Sequence, residues 1–208
     1  MDIHPPEGPT RSFKDFAIHI LVVTIGILIA LSLEGIRESW REHRAIEEAR
    51  SSFRDELRTD GEQLRLDLAS VHQVNTQLNQ LLTDLPQLSK SPVDLEHRVR
   101  ALEPGFYFFR TTAWESAVAS GTLSHMKTEE LNRYANAYLS VKNYQDVSRT
   151  TLPEWVAVES YFQSHHTYSP AEQATREEQL RTLQMSFKAM EHVGNEMSAD
   201  INAALSTH

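Results

Sequence analysis

The sequence predicts an all-α protein: a transmembrane helix that continues into a stalk, followed by an antiparallel helical bundle with long first and last helices. Three observations predict this class. Residues 16–33 form an unbroken apolar run, two later segments place apolar residues at alternating steps of three and four, and no stretch alternates like a strand flanked by turns. The predicted organisation is a disordered tail at 1–15, a span at 16–34, a charged helical stalk at 35–58 and a bundle at 59–208.

The apolar run, FAIHILVVTIGILIALSL, contains no Asp, Glu, Lys or Arg. As a helix it would reach about 27 Å, close to the hydrocarbon thickness of a bilayer. A cleaved signal peptide has a shorter apolar region, and the one small-x-small site, Ala30–Ser32, lies inside the run. The other alternative, a buried helix of a soluble protein, rarely lacks a polar face over such a length. We therefore expect a retained anchor, with Arg11, Lys14 and Trp40 at the membrane interfaces.

The first long helix of the bundle is predicted by a heptad seam from Leu57 to Leu85. Its members are Leu57, Gly61, Leu64, Leu68, Val71, Asn75, Leu78, Leu82 and Leu85. Residues 59–62, Thr-Asp-Gly-Glu, fit a capping box, so the sequence leaves open whether this helix is continuous through Gly61. Pro86 is predicted to end it.

The last long helix begins at Ser169-Pro170-Ala171-Glu172, which combines an N-cap, a proline at the first helical position and a capping-box acid. A second seam follows, with Leu180, Leu183, Phe187, Met190, Gly194, Met197, Ile201 and then Ala204 or Leu205. Two long heptad helices at opposite ends of one domain favour antiparallel neighbours and have the pattern of a coiled coil. Gly194 on this seam would permit a close backbone approach.

Shorter helices are predicted between the two seams. One runs from Ser91 to about Leu102, and another covers residues 112–120, with Gly121 as its stop. A third opens at Thr128, and Pro153 is expected to interrupt it, so that a separate helix follows.

Composition narrows the classes of function. The chain carries a formal charge of −9, which argues against a general nucleic-acid binder because phosphate contacts need clustered Lys and Arg. It has no cysteine, which excludes disulfides and thiolate metal sites. The histidines, including the adjacent His165–His166, lack metal-binding spacings, and no nucleophile elbow or phosphate-binding glycine pattern is present. We expect no cofactor, no metal and no catalysis.

The densest aromatic cluster is Phe106-Tyr107-Phe108-Phe109, followed by Arg110 and Trp114. One interpretation is a ligand or partner contact formed by Tyr107, Arg110 and Trp114, with Arg110 meeting an anion. The other, which residue statistics favour, is that the four aromatic side chains fill the core or the end of the bundle.

Four short segments carry a resemblance to a known family. Residues 25–31, Ile-Gly-Ile-Leu-Ile-Ala-Leu, are followed by a charged exit at Trp40-Arg41-Glu42, and the central motifs are Thr112-Ala113-Trp114-Glu115 and Ser120-Gly121-Thr122-Leu123. Over residues 12–145 the chain resembles uncharacterised bacterial single-pass membrane proteins with a helical soluble domain. The resemblance implies membrane location and a helical domain, and it brings no mechanism.

The sequence therefore predicts a single-pass protein of the bacterial inner membrane that acts through protein contacts, as a scaffold or accessory subunit. Its expected partners are the lipid bilayer and either a protein partner or a second copy of itself, and no nucleic acid. The alternative is a sensory or small-ligand-binding bundle with a pocket near residues 106–114. The basic residues that follow the span favour a cytoplasmic bundle, whereas the short basic N-terminal flank is typical of a signal anchor, which favours a periplasmic one. We expect the periplasmic side.

Overall fold

The computed structural model describes residues 13–88, 90–164 and 169–206, and every regular element in these ranges is a helix. The helices are α1 (Phe13–Leu88), α2 (Pro92–Arg100), α3 (Thr112–Ala119), a short 3-10 helix (Thr122–His125), α4 (Thr128–Ser164) and α5 (Pro170–Leu205). The all-α prediction is confirmed. Residues 13–15, which were predicted to belong to a disordered tail, are helical, and the rest of that predicted tail lies outside the described residues.

The chain divides into two compact units, and the boundary falls between Glu47 and Glu48. The bundle was predicted to begin at residue 59, so its actual start is about three helical turns earlier. The reason is packing: Phe53 and Leu57 are fully buried, and Arg50 forms an ion pair with Glu130 of α4. These residues therefore belong to the bundle rather than to the predicted stalk.

The helix that begins in the N-terminal unit, α1, is the one helix among the described residues that is long and apolar enough to cross a membrane. The most apolar window of this helix has a mean hydropathy of 2.6, and none of it is buried within the protein. The large side chains from Phe16 to Leu33 are all exposed. A core helix of a soluble protein would bury such side chains, so the structure lacks the packing that this alternative requires.

In the bundle, α1 buries a wide face rather than a single seam. Its central stripe consists of the fully or largely buried Leu57, Leu64, Val71, Leu78 and Leu85. One flank of this stripe contacts α5, and its members are the half-buried Gly61, Leu68 and Leu82 with the buried Asn75. The other flank contains the buried Asp60, Asp67, Val74 and Leu81. The predicted seam therefore contained the central stripe and the α5 flank but missed the second flank.

Helix α5 buries its predicted seam. Leu180, Leu183, Phe187, Met190, Gly194, Met197, Ile201 and Ala204 are all buried. The predicted capping box is present, since the Ser169 hydroxyl accepts from the Glu172 amide and the Glu172 carboxylate accepts from the Ser169 amide. Further contacts fix the pairing with α1: Gly61 lies against Ile201, Leu68 against Gly194, and the side chain of Asn79 bonds that of Gln184.

Two predicted helix boundaries at prolines are wrong. Helix α1 extends to Leu88 and passes through both Gly61 and Pro86. Helix α4 runs through Pro153 without a break, because Thr151, Trp155 and Val158 continue its buried stripe across the proline. Tertiary packing thus outweighs the hydrogen bond that a proline removes. By contrast, Gly121 ends α3 as predicted, with a φ of 74° that a side chain would oppose.

Candidate functional site

The segment after α2, residues 106–114, is bound to α1 by two carboxylates one helical turn apart. Glu56 accepts hydrogen bonds from the backbone N–H of Ala113 at 3.2 Å and from the Tyr138 hydroxyl at 3.0 Å. Asp60 accepts from the backbone N–H of Arg110 at 3.2 Å. The aromatic segment is therefore positioned by its backbone, and its side chains are not needed to attach it.

Glu56 also serves the start of α3. The side chain of Thr111, the N-cap residue, makes no capping bond to the helix backbone and instead donates to Glu115 at 2.8 Å. A carboxylate at a helix N-terminus satisfies a free N–H and interacts favourably with the helix dipole. Glu56 therefore replaces the missing local cap from a distant part of the chain.

A second acid–tyrosine pair lies deeper in the bundle. Asp67 is fully buried and accepts a hydrogen bond of 2.7 Å from the Tyr144 hydroxyl. The Tyr144 ring meets the buried Phe109 edge-on at 5.5 Å, and the side chain of Gln145 donates to the Phe109 carbonyl at 2.6 Å. This arrangement fixes Phe109 in the core, as the packing interpretation of the aromatic cluster predicts.

Burial sets the ionisation of these groups. Desolvation raises the pKa of Asp60 to about 6 against the favourable bond from the Arg110 amide, and it raises the pKa of Asp67 to about 6 against the bond from Tyr144. Burial and then the neighbouring acids raise the pKa of Tyr138 and Tyr144 as well, so both stay protonated donors. The pKa of Glu130 is lowered, mainly by its hydrogen bond from Arg50.

The predicted site residue Trp114 belongs to an aromatic cluster around Phe53. The Phe53 ring lies 5.7 Å from that of Trp114 and 4.9 Å from that of Tyr134, and Trp114 stacks on Tyr138 at 5.3 Å. Such pairs add about 0.5–1.5 kcal/mol each beyond the area they bury. One side of Trp114 therefore belongs to the core while the residue remains half-buried.

Two open depressions lie beside α4. The larger spans about 970 Å³ of space that includes open solvent, and its walls include Trp114, Tyr138, Leu139 and Lys142. The smaller spans about 290 Å³, again including open solvent. It is lined by Phe106, Tyr107, Phe108, Gln145, Ser148, Arg149 and Leu152. Gln145 and Arg149 line both, so the two depressions are adjacent along α4, and we name them together the α4 groove.

The structure separates the three residues that were predicted to form one contact. Tyr107 lines the smaller depression and Trp114 the larger one, whereas Arg110 is exposed and lines neither. Phe108 is 80% exposed, so the aromatic cluster is only partly a core element. The residues that join the two depressions belong to α4, and no sequence motif marked them.

The predicted interfacial residues lie in or before the N-terminal part of α1. Trp40 is 76% exposed and lines an open depression of about 780 Å³ with Ser39, His43, Arg44 and Glu47. Lys14 lies in α1, with its side chain outside the described part, and Arg11 lies outside the described residues. The segment beyond the apolar run thus presents an exposed indole close to basic side chains.

Among the described residues, no group of three or more His, Asp and Glu side chains has the arrangement needed to hold a metal ion. His165–His166 lies outside the described residues. One histidine–acid contact in those parts of the chain pairs His72 with Glu191 at 2.8 Å, and Glu191 also accepts from Asn75 at 2.7 Å. This group joins α1 to α5 at the bundle surface.

Comparison with known family models, curated proteins and solved structures finds no match to this chain. The function is therefore inferred from the residues and contacts described above.

Proposed function

We propose that this chain is a single-pass membrane protein whose helical bundle acts through contacts with other proteins, as a scaffold or accessory subunit without catalytic activity. The observation that carries the proposal is the apolar stretch from Phe16 to Leu33. The large side chains of this stretch are all exposed. Contact of so much apolar surface with water is unfavourable in free energy, whereas the hydrocarbon core of a bilayer accommodates it.

The role of the buried acids supports the non-catalytic part of the proposal. Glu56, Asp60 and Asp67 each accept a hydrogen bond from the bundle itself, and none of them lines the α4 groove. Groups with a shifted pKa are candidates for catalysis when they face a cleft that a substrate can enter. Here the raised pKa values belong to Asp60, which holds the 106–114 loop, and to Asp67, which holds Tyr144 of α4.

The arrangement of the bundle is part of this proposal. We place α1 and α5 antiparallel, supported by pairs in which residue numbers rise along one helix as they fall along the other: 61 with 201, 68 with 194, and 79 with 184. An antiparallel pair of this length offers long exposed helix faces, which are the surfaces that bundle proteins use to bind partners.

The small-ligand alternative has weaker support. Binding pockets for small molecules bury most of the ligand surface, whereas the walls of both depressions include strongly exposed side chains such as Phe108 and Leu139. An extended partner can use such an open surface more readily than a small molecule can. This is the observation that makes protein contact the first proposal.

Membrane anchoring is tested by charging the apolar stretch. Replacing Ile25 and Leu28 with Arg is expected to move the full-length chain from the carbonate-washed membrane fraction to the soluble or degraded fraction, since each central Arg opposes insertion by about 3 kcal/mol. The control places Arg at Ser39 and His43, which follow the apolar stretch, and should leave fractionation unchanged. Retention of the Ile25→Arg/Leu28→Arg variant in washed membranes would contradict the anchor.

Location and assembly need separate measurements. The resemblance to bacterial single-pass proteins supports an inner-membrane location, and we propose a periplasmic bundle. Protease added to spheroplasts should then remove a C-terminal tag, and full protection of the tag would place the bundle in the cytoplasm. Mass photometry of the detergent-extracted full chain should show a complex larger than one copy; a strictly monomeric protein without a partner would contradict the scaffold proposal.

A further inference from the structure

The α4 groove is an open surface of the bundle without an assigned role. It extends along α4 from Ala135 to Leu152, about 25 Å of helix axis, and residues 106–115 form its other wall. Both walls are fixed, because the carboxylates of Glu56 and Asp60 hold the loop and Gln145 bonds the Phe109 carbonyl. The groove is therefore preformed, which lowers the entropic cost of binding.

The α4 groove exposes large apolar side chains that are not buried in the core. Phe108 is 80% exposed and Leu139 is 56% exposed, and one side of Trp114 faces the larger depression. Clustered exposed apolar side chains with a polar rim are typical of protein interaction sites. Aromatic residues such as these are also common among the residues that carry binding energy.

The charge of the groove opposes the charge of the chain as a whole. The protein has a net charge of −9, yet Lys142 and Arg149 face the groove with only Glu115 as an acidic wall residue. Lys142 has no ion-pair partner among the described residues, and the pair between Arg149 and Asp146, at 3.4 Å, is solvent-exposed and so worth little. The two bases are seven residues apart, about 10 Å along α4.

We propose that the α4 groove binds an acidic amphipathic helix of a partner protein. Its length accommodates four to five helical turns, and its exposed aromatic and aliphatic side chains suit apolar anchors at steps of three and four. Two acids one heptad apart on the partner would match the separation of Lys142 and Arg149. The inference rests on the proposed function, since it identifies the surface and the partner chemistry through which the scaffold acts.

The test places a photoreactive amino acid, p-benzoylphenylalanine, at Phe108 or Leu139 of the full-length chain in its native membranes. Matched controls carry it at Leu66 or Met185, which are similarly exposed on α1 and α5. Light should produce an adduct only from the groove positions. Peptide mapping of this adduct should place the crosslink on an acidic segment with apolar residues at helical spacing.

Charge reversal provides the second arm. The variant Lys142→Glu/Arg149→Glu should lower the crosslinking yield about tenfold, because acids of the partner would then meet like charges. Lys188→Glu changes an exposed base of α5 and should leave the yield unchanged. Circular dichroism melting checks that both variants are folded, as expected for substitutions of exposed side chains.

Several results would overturn the inference: no adduct, an adduct with lipid alone, a crosslink between two copies of this chain, equal yields from the control positions, or a yield insensitive to charge reversal. Mass photometry of the same preparations separates this failure from failure of the proposed function. A complex that persists while the groove fails these tests would refute only the docking site. Loss of any complex from the wild-type chain would refute both.

Discussion

The two flanks of the buried face of α1 use different chemistry to hold their neighbours. The flank toward α5 presents glycine and leucine residues with one buried amide, Asn75, and it packs tightly at Leu68, where an added Cβ on Gly194 would lie 2.6 Å from the leucine. The flank toward α4 and the 106–114 loop presents Asp60 and Asp67, both buried. The first flank combines close packing with the hydrogen bonds that Asn75 donates to α5, whereas the polar contacts of the second flank are accepted by buried carboxylates.

This difference matters because the two flanks meet at Tyr144. Its ring lies against Gly194, where an added Cβ would approach to 2.8 Å, and its hydroxyl is held by Asp67. A larger side chain at Gly194 of α5 would therefore meet the Tyr144 ring, which Asp67 holds in place through the tyrosine hydroxyl. Apolar packing and the carboxylate network are consequently coupled at this point rather than independent.

The largest expected effect comes from filling the close contact at Gly194. We expect Gly194→Leu to lower the free energy of unfolding by about 3 kcal/mol, because the Tyr144 ring cannot move without breaking its bond to Asp67. Chemical denaturation of the full-length chain in micelles, followed by helix ellipticity, measures the change. The matched control is Gly61→Ala, whose Cβ would lie 3.4 Å from Ile201. We expect it to be neutral or to stabilise by up to about 1 kcal/mol through helix propensity. Equal losses in the two variants would refute the difference between these contacts.

The next effect concerns the α3 cap. Glu56→Ala should cost about 2 kcal/mol, because it removes the acceptor of the Ala113 amide and leaves the Tyr138 hydroxyl without its partner. Hydrogen exchange measured by mass spectrometry should show the change first in residues 110–119. The exposed Glu62 on the same helix is the control, and Glu62→Ala should stay within about 0.5 kcal/mol of the wild type. Unchanged exchange of the α3 segment in Glu56→Ala would show that this carboxylate does not cap the helix.

The period of apolar residues could predict the α5 flank but not the acidic flank. Gly61, Leu68 and Asn75 continue a heptad from Leu57, and the α5 partners lie on a seam that the sequence also displays. Asp60 and Asp67 lie on the same helical face, one position earlier, but a period of apolar residues does not include acids, which are rarely buried without a partner. Their partners are a backbone amide and a tyrosine far along the chain, which no local pattern reveals. The spacing of Asp60 and Asp67 beside Leu57 and Leu64 was the one available signal.

The candidate site was predictable only in part for the same reason. The aromatic run was visible in the sequence, and the half-buried Trp114 does face an open depression. The groove itself depends on the packing of α4 beside residues 106–115, so Lys142 and Arg149 were indistinguishable from other exposed bases. Likewise, Pro153 predicts a break because a proline removes a helical hydrogen bond. The buried stripe that keeps α4 continuous across it depends on tertiary packing, which the sequence does not display.

The acidic flank predicts an unusual dependence of stability on pH. Asp60 and Asp67 have a pKa of about 6 when folded and an ordinary value of 3.8, so the folded state binds more protons than the unfolded state between these values. The free energy of unfolding should therefore rise as the pH falls from 8 to 5, and each carboxyl should contribute about 1 kcal/mol to this increase. Denaturation at a series of pH values measures this slope. Asp60→Asn/Asp67→Asn should flatten it, and a double variant that keeps the wild-type slope would assign the effect to other groups.

The smallest expected effect separates an inter-helix ion pair from a surface pair of the same chemistry. Arg50 binds both carboxylate oxygens of Glu130 at 2.6 Å from a partly buried position, whereas Arg181 and Glu177 are neighbours on the exposed face of α5. Arg50→Lys keeps the charge but loses the two-point geometry, and it should lower the free energy of unfolding by about 1 kcal/mol at neutral pH. Arg181→Lys should lower it by about 0.3 kcal/mol.

The contribution of the Arg50–Glu130 pair should depend on pH. Because Arg50 lowers the pKa of Glu130, this contribution is present above the ordinary value of 4.5 and is lost as the pH falls through the folded pKa. The two variants should thus differ in stability at pH 7 and converge in strong acid. A loss for Arg50→Lys that persists in acid would assign the effect to packing of the arginine side chain rather than to its ion pair.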